Sequence, residues 1–255
     1  APVDQAPRID GVLDEAFWET IPPITDFRQR VPVDGDFPTE RTEVRIAFDS
    51  DAIYFGFRLF DSHPDLIRRS ILQREGRIDE DDHIWIGLDT YHDGRNAYIF
   101  ELNSFGTQGD ALITDESMTL SDWNWEGVYR SEARVTDEGW TLEVAIPFTT
   151  IRFEDAEAPE MGVAIRRAIR RKNEEVFWPH IPQRYRAGFN QVSQYATLSG
   201  LRDVRRGRYM ELKPFAILGG QKLAENPDTD VVDDIGVDFK YAITSNLTAD
   251  LTWNT

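Results

Sequence analysis

Gly139-Trp140-Thr141-Leu142-Glu143-Val144-Ala145-Ile146-Pro147 sets a large apolar side chain at every second position, with Thr141, Glu143 and Ala145 between them. A period of two is the mark of a β-strand with one apolar and one polar face. Thr42–Phe48 repeats the pattern, with Val44, Ile46 and Phe48 set against Glu43, Arg45 and Ala47. Asp49-Ser50-Asp51 then offers a tight turn into Ala52–Phe60, completing a hairpin. Outward from these segments the same texture predicts strands over His83–Asp89, Ala97–Asn103, Glu132–Val135 and Gly162–Arg170. Helix is expected only in short pieces, at Asp14–Glu19, Pro64–Ile71 and Pro147–Ile151. A sheet with one apolar face needs a second sheet to cover it, so the expected fold is all-β, an antiparallel β-sandwich.

The chain has 255 residues, of which 40% are hydrophobic, enough for one large core with an appendage. Its 46 acidic and 28 basic side chains leave a net charge of −18, which repels a phosphate backbone and argues against nucleic acid as a partner. With no cysteine, disulfide and thiolate chemistry are excluded. The opening Ala1-Pro2-Val3 reads as an exported chain after signal-peptide cleavage, or equally as a chain trimmed at its start, and the lack of thiols suits an oxidising bacterial envelope. No apolar run approaches the roughly 20 residues of a transmembrane helix, so membrane contact is expected only through strands.

The texture changes near Arg205, which divides the chain into residues 1–204 and 205–255. In Gly236–Thr244, Val237, Phe239, Tyr241 and Ile243 alternate with polar or small residues, and in Leu247–Thr255, Leu247, Ala249, Leu251 and Trp253 do the same. Two such strands joined at Ser245-Asn246 fit a transmembrane β-hairpin, and equally an amphipathic hairpin on a soluble sheet. Because the sequence stops directly after a strand, the natural polypeptide is expected to continue.

Several motifs resemble a known family. Ile9-Asp10-Gly11-Val12-Leu13-Asp14-Glu15-Ala16-Phe17-Trp18 is similar to the opening of carbohydrate-binding family 9-like domains. The resemblance continues through Glu40-Arg41-Thr42-Glu43-Val44, Ile53-Tyr54-Phe55-Gly56, Asp81-Asp82-His83-Ile84, Leu88-Asp89-Thr90, Asn124-Trp125-Glu126-Gly127 and Gly139–Phe148, covering about Pro7 to Leu201. Asp238-Phe239-Lys240-Tyr241 with Leu247–Thr252 resembles the start of an uncharacterised barrel domain that follows this module in large bacterial outer-membrane proteins. The resemblance implies a jelly-roll or immunoglobulin-like sandwich ahead of an outer-membrane β-barrel, with sugar recognition in some relatives.

A sugar site needs an aromatic ring for the apolar face of the sugar and planar polar groups for its hydroxyls. Trp123-Asn124-Trp125 is the leading candidate, since residues two apart on a strand share a face. Trp178, read as a loop residue, joins it, with Asn103 and Arg95 as polar partners. Trp18, Trp85 and Trp140 fall in apolar patterns and are assigned to the core. Asp81, Asp82, Asp89 and Asp93 lie in two acidic segments that read either as solvated turns or, as relatives imply, as a calcium site. Arg166–Asn173 is a basic cluster, expected to pair with the chain's own carboxylates or else to hold an acidic glycan. No nucleophile elbow, zinc-protease, P-loop or dinucleotide motif is present. The expected function is a ligand-binding module for a glycan or other envelope component. A structural domain docking on the barrel or a partner subunit, and a two-carboxylate glycoside hydrolase, stand as alternatives.

Overall fold

In a computed structural model, which describes residues 1–117, 121–154, 156–205, 210–221, 230–242 and 248–254, the alternating segments form two facing sheets. One helix, α1 (Ala16–Thr20), precedes them. The strands of the sandwich are β1 (Arg28–Val31), β2 (Thr42–Phe48), β3 (Ala52–Phe60), β4 (His83–Asp89), β5 (Ala97–Asn103) and β6 (Gln108–Ile113). They continue with β7 (Ser121–Asp122), β8 (Arg130–Thr136), β9 (Gly139–Pro147), β10 (Met161–Ile169), β11 (Glu174–Trp178) and β12 (Ala196–Leu198). The smaller sheet runs β2-β3-β9-β8; the larger runs β1-β11-β10-β4-β5-β6-β7, with β12 paired to β10. All pairings between these strands are antiparallel.

The core lies between the sheets. Val44, Ile46, Phe55, Phe57, Leu142 and Val144 from one meet Ile84, Ile86, Leu88, Phe100, Leu102, Val163 and Ile165 from the other, all buried. Arg167 crosses this layer at one end, donating to Arg41 O at 2.9 Å, Thr42 Oγ1 at 3.0 Å and Phe60 O at 2.7 Å.

The expectation of one wet face per sheet fails on both sides. Over the outer face of the smaller sheet, Leu13, Trp18 and Ile21 cover Ala47, Tyr54 and Ala145. Glu143, expected to face water, is fully buried beneath them. Its carboxylate accepts the Asp10 and Gly11 amides, each at 3.0 Å, and the Trp18 indole N–H at 3.2 Å. Gly56 makes room for this cover, since a Cβ there would lie 2.6 Å from Leu13 and 3.2 Å from Trp18. On the outer face of the larger sheet, residues Ile181–Tyr195 fold back over Ile99, Ala111, Ala164 and Phe177.

Other expectations are corrected locally. Pro147–Ile151 forms a hydrogen-bonded turn, with Thr150 N donating to Pro147 O at 2.9 Å, and Pro64–Ile71 keeps only a 3-10 turn at Pro64–Leu66. Trp178 is the last residue of a strand and not part of a loop.

The chain divides into two units, Ala1–Arg206 and Gly207–Thr255. The second contains an antiparallel sheet of β13 (Met210–Gln221), β14 (Asp230–Ala242) and β15 (Thr248–Trp253). The turn expected at Ser245-Asn246 lies outside the described residues. In this sheet Leu212, Phe239 and Leu251 stand in one cross-strand row, and Pro214, Val237 and Trp253 in another on the same face. No described helix is long and apolar enough to cross a membrane.

Candidate binding cleft

The odd-numbered residues of β4 and β5 point away from the core, and Glu101, Trp85 and Arg166 stand in one cross-strand row on that outer face. Phe177 continues the row on β11. The returning segment covers one end of it. Phe189 packs edge-on to Trp85 at 5.5 Å and to Phe177 at 5.8 Å between ring centroids. Gly87, the next outward residue of β4, leaves room for Tyr195, whose hydroxyl would otherwise meet a Cβ at 2.4 Å and instead donates to Phe189 O at 3.0 Å. Arg30 ties down the segment by donating to Ile181 O, Pro182 O and Tyr185 O at 2.7 to 2.9 Å.

The other wall is residues 70–80. Asp81 accepts the Ser70 and Ile71 amides at 2.8 Å and the Asn103 side-chain amide at 3.0 Å. Asn103 also donates to Ile71 O at 2.7 Å, while its Oδ1 accepts the Phe105 and Thr107 amides at 3.0 Å each. Between the walls lie two hollows of about 420 and 620 Å³, both lined by Trp85, Trp123, Arg166 and Glu175. Each is within the size range of small-molecule sites.

Trp123 stands at the cleft, 44% exposed, edge-on to Trp85 at 5.9 Å. The Arg166 guanidinium lies 4.3 Å from the Trp85 ring centroid and pairs with Glu175 at 2.6 Å. Trp85 donates its indole N–H to Glu101 Oε1 at 2.7 Å. Burial pushes the Glu101 carboxyl up to about 7, against the pull of the Trp85 N–H and Arg166. The cleft thus offers an exposed aromatic ring beside planar hydrogen-bonding groups.

Of the residues named as sugar contacts from sequence, Trp123 lines both hollows, and from the basic cluster Arg166 lines both and Arg170 the larger. Trp125 does not share the face of Trp123, because residues 123–125 follow β7 as a turn, in which Asp122 Oδ1 accepts the Asn124 amide at 3.0 Å. Trp125 turns to the core, packing on Tyr98 at 4.8 Å and Phe100 at 5.9 Å. Trp178 likewise packs against the core, one residue out of phase with the outward Phe177. Arg95 pairs with Asp115 at 2.6 Å and is not a wall of either hollow. Asn103 is fully buried, with its amide spent on the wall just described.

The four aspartates do not fit a calcium site. Asp81 and Asn103 form the wall network, Asp82 accepts the Arg170 amide at 2.7 Å, and Asp89 accepts the Asp93 and Gly94 amides at 3.1 and 2.8 Å. Asp93 accepts the Arg95 and Asn96 amides at 2.8 and 2.9 Å. No group of three or more His, Cys, Asp or Glu that could hold a metal ion gathers among the described residues. The basic cluster pairs internally, as expected: Arg166 with Glu175, Arg170 with Asp79, and Arg171 with Asp61 and Glu40.

Trp85, Glu101 and Glu175 were not picked from sequence. Parity along β4 held the signal for Trp85, which alternates with Ile84, Ile86 and Leu88 and so belongs with His83, Gly87 and Asp89.

No curated protein matches the chain. Among solved structures it is similar to a carbohydrate binding module family 9 from Caldicellulosiruptor kristjanssonii in complex with cellotriose, at 12% identity and TM-score 0.55, covering 79% of this chain and 91% of that one. The same module in complex with glucose gives 12% identity and TM-score 0.55, over 78% and 94% of the two chains. These likenesses establish a shared fold. The family described as carbohydrate family 9 binding domain-like matches residues 9–176, from the motif that buries Glu143 to the strand carrying Glu175, and the chain belongs to it.

Proposed function

We propose that the sandwich is a non-catalytic sugar-binding module and that the cleft between residues 70–80 and 181–195 is its site. The observation that carries the reading is Trp123, a large exposed ring set against Trp85 and flanked by Glu101, Arg166 and Glu175. Stacking on the ring suits the apolar face of a pyranose, and the carboxylates and guanidinium suit its hydroxyls. The balance of paired charges favours a neutral sugar over an acidic one. Structures sharing the fold hold cellotriose and glucose, which supports the assignment. Affinity for cellotriose, glucose and the best binder of a glycan array, measured by calorimetry, tests it. Trp123→Ala is expected to weaken binding at least about tenfold with thermal stability unchanged; undiminished binding by the variant, or no glycan bound by the parent, would refute the reading.

A second observation supports an envelope setting. The face of β13–β15 that carries Leu212, Ile235, Leu251 and Trp253 leaves these side chains 64 to 67% exposed. Strands of 12 and 13 residues with an apolar outward face are long enough to span the hydrocarbon of an outer membrane when tilted. We propose that this sheet begins an outer-membrane barrel, with the sugar-binding module at the cell envelope.

A further inference from the structure

Glu101 lines the larger hollow of the cleft with only 6% of its side chain exposed. Its Oε1, which accepts the Trp85 indole N–H, is also 3.8 Å from His83 Nε2. His83 is fully buried, and its Nδ1 lies 2.8 Å from Asp81 O. A carbonyl oxygen only accepts, so Nδ1 carries the ring proton and Nε2 is left as a bare acceptor. Burial, with Arg166 and Arg170 nearby, holds His83 neutral, and Nε2 has no hydrogen-bond partner among the described residues.

Glu101 is thus a buried carboxyl whose one hydrogen-bond donor is the Trp85 indole N–H, since neutral His83 at 3.8 Å is too far to bond with it. The other charged groups around it are committed. Arg166 from β10 is paired with Glu175, and Arg170 from the turn after β10 faces Asp79 at 3.8 Å. Glu75 and Arg77 line the same hollow, with Arg77 paired to Glu80 at 2.7 Å, and β6 presents only Gly109 opposite Glu101. Asn103, the next outward residue of β5, is spent on the wall.

We propose that Glu101 anchors a hydroxyl of the bound sugar and releases its proton to solvent as it does so, making sugar binding in this cleft proton-linked. The proposal rests on the sugar-binding reading above. The chemistry is one exchange: the neutral carboxyl loses a proton to water, and the resulting carboxylate accepts a hydrogen bond from the sugar O–H. The ionised form alone competes well for that hydroxyl, because a charged acceptor makes the stronger bond. With a ligand-free midpoint near 7, the competent fraction falls as pH drops, and affinity is expected to fall with it by roughly 30-fold from pH 8 to pH 5.5.

The test has two arms on the whole chain. In the ligand-free protein, the Trp85 indole N–H resonance is followed from pH 5 to 8.5; it should titrate near neutrality and stay flat in Glu101→Gln. In the second, calorimetric affinity for cellotriose, or for the tightest glycan of the array, is measured at pH 5.5 and 8, with two buffers of different ionisation heat at pH 6. Rising affinity with pH, proton release at pH 6 and a flattened profile in Glu101→Gln are expected. An indole resonance that does not move, or a sugar affinity equal at both pH values, would overturn the proposal and leave the sugar-binding reading standing. Binding of no glycan at any pH would overturn both.

Discussion

Two buried glutamates on opposite outer faces of the sandwich are handled differently. Glu143 is surrounded by donors, two backbone amides and an indole, so its burial is compensated and it fastens the N-terminal segment to β9. Glu101 has one donor and a neighbouring acceptor. Burial raises both carboxyls above the ordinary value of 4.5, to about 6 for Glu143 and about 7 for Glu101. A raised carboxyl binds its proton more tightly in the folded state. Each therefore stabilises the fold relatively more at acid pH, and that advantage is lost as pH climbs from 4.5 through the folded value. Glu143→Ala leaves three buried donors without an acceptor and is expected to cost about 2–3 kcal/mol in urea unfolding at pH 7; a loss below about 0.5 kcal/mol would mean that water replaces the carboxylate at no cost.

At the scale of elements, alternation made β2, β3, β4, β5 and β9 legible with their bounds, because each has a continuous apolar face. β6 (Gln-Gly-Asp-Ala-Leu-Ile) and β11 (Glu-Glu-Val-Phe-Trp) lack that signature; they are strands because neighbours pair with them on both sides. The cleft was half legible. Trp123 was visible as an aromatic in polar surroundings, but the rule that places Trp125 beside it holds only on a strand, and Asp122 makes a turn there. The β13–β15 sheet also belongs at this scale. Its apolar face predicts that the whole chain floats with phosphatidylcholine vesicles after refolding into them, and that Leu251→Asp with Trp253→Asp reduces the floated fraction several-fold. Equal flotation of parent and variant would argue against a lipid-facing sheet.

For the molecule as a whole, sequence specified the two facing sheets but not what covers their outer faces. The Ile9–Trp18 motif was recognisable as a pattern, yet its physical reason, a carboxylate 132 positions from Gly11 in the chain, emerges only in three dimensions. The same holds for residues 181–195, whose apolar side chains are scattered and show no period, and which are ordered by Arg30 on β1 and by Gly87 on β4, the latter making room for the segment's own Tyr195. Net charge of −18 held no sign of a cleft where four arginines meet four carboxylates. The most direct test of the central claim is the set of tryptophan indole resonances during titration with cellotriose or the best glycan of an array. The account predicts that Trp123 and Trp85 shift together and saturate at one affinity, while Trp125 and Trp178 stay still. Shifts confined to Trp125 or Trp178, with Trp123 silent at saturation, would place the ligand elsewhere and contradict it.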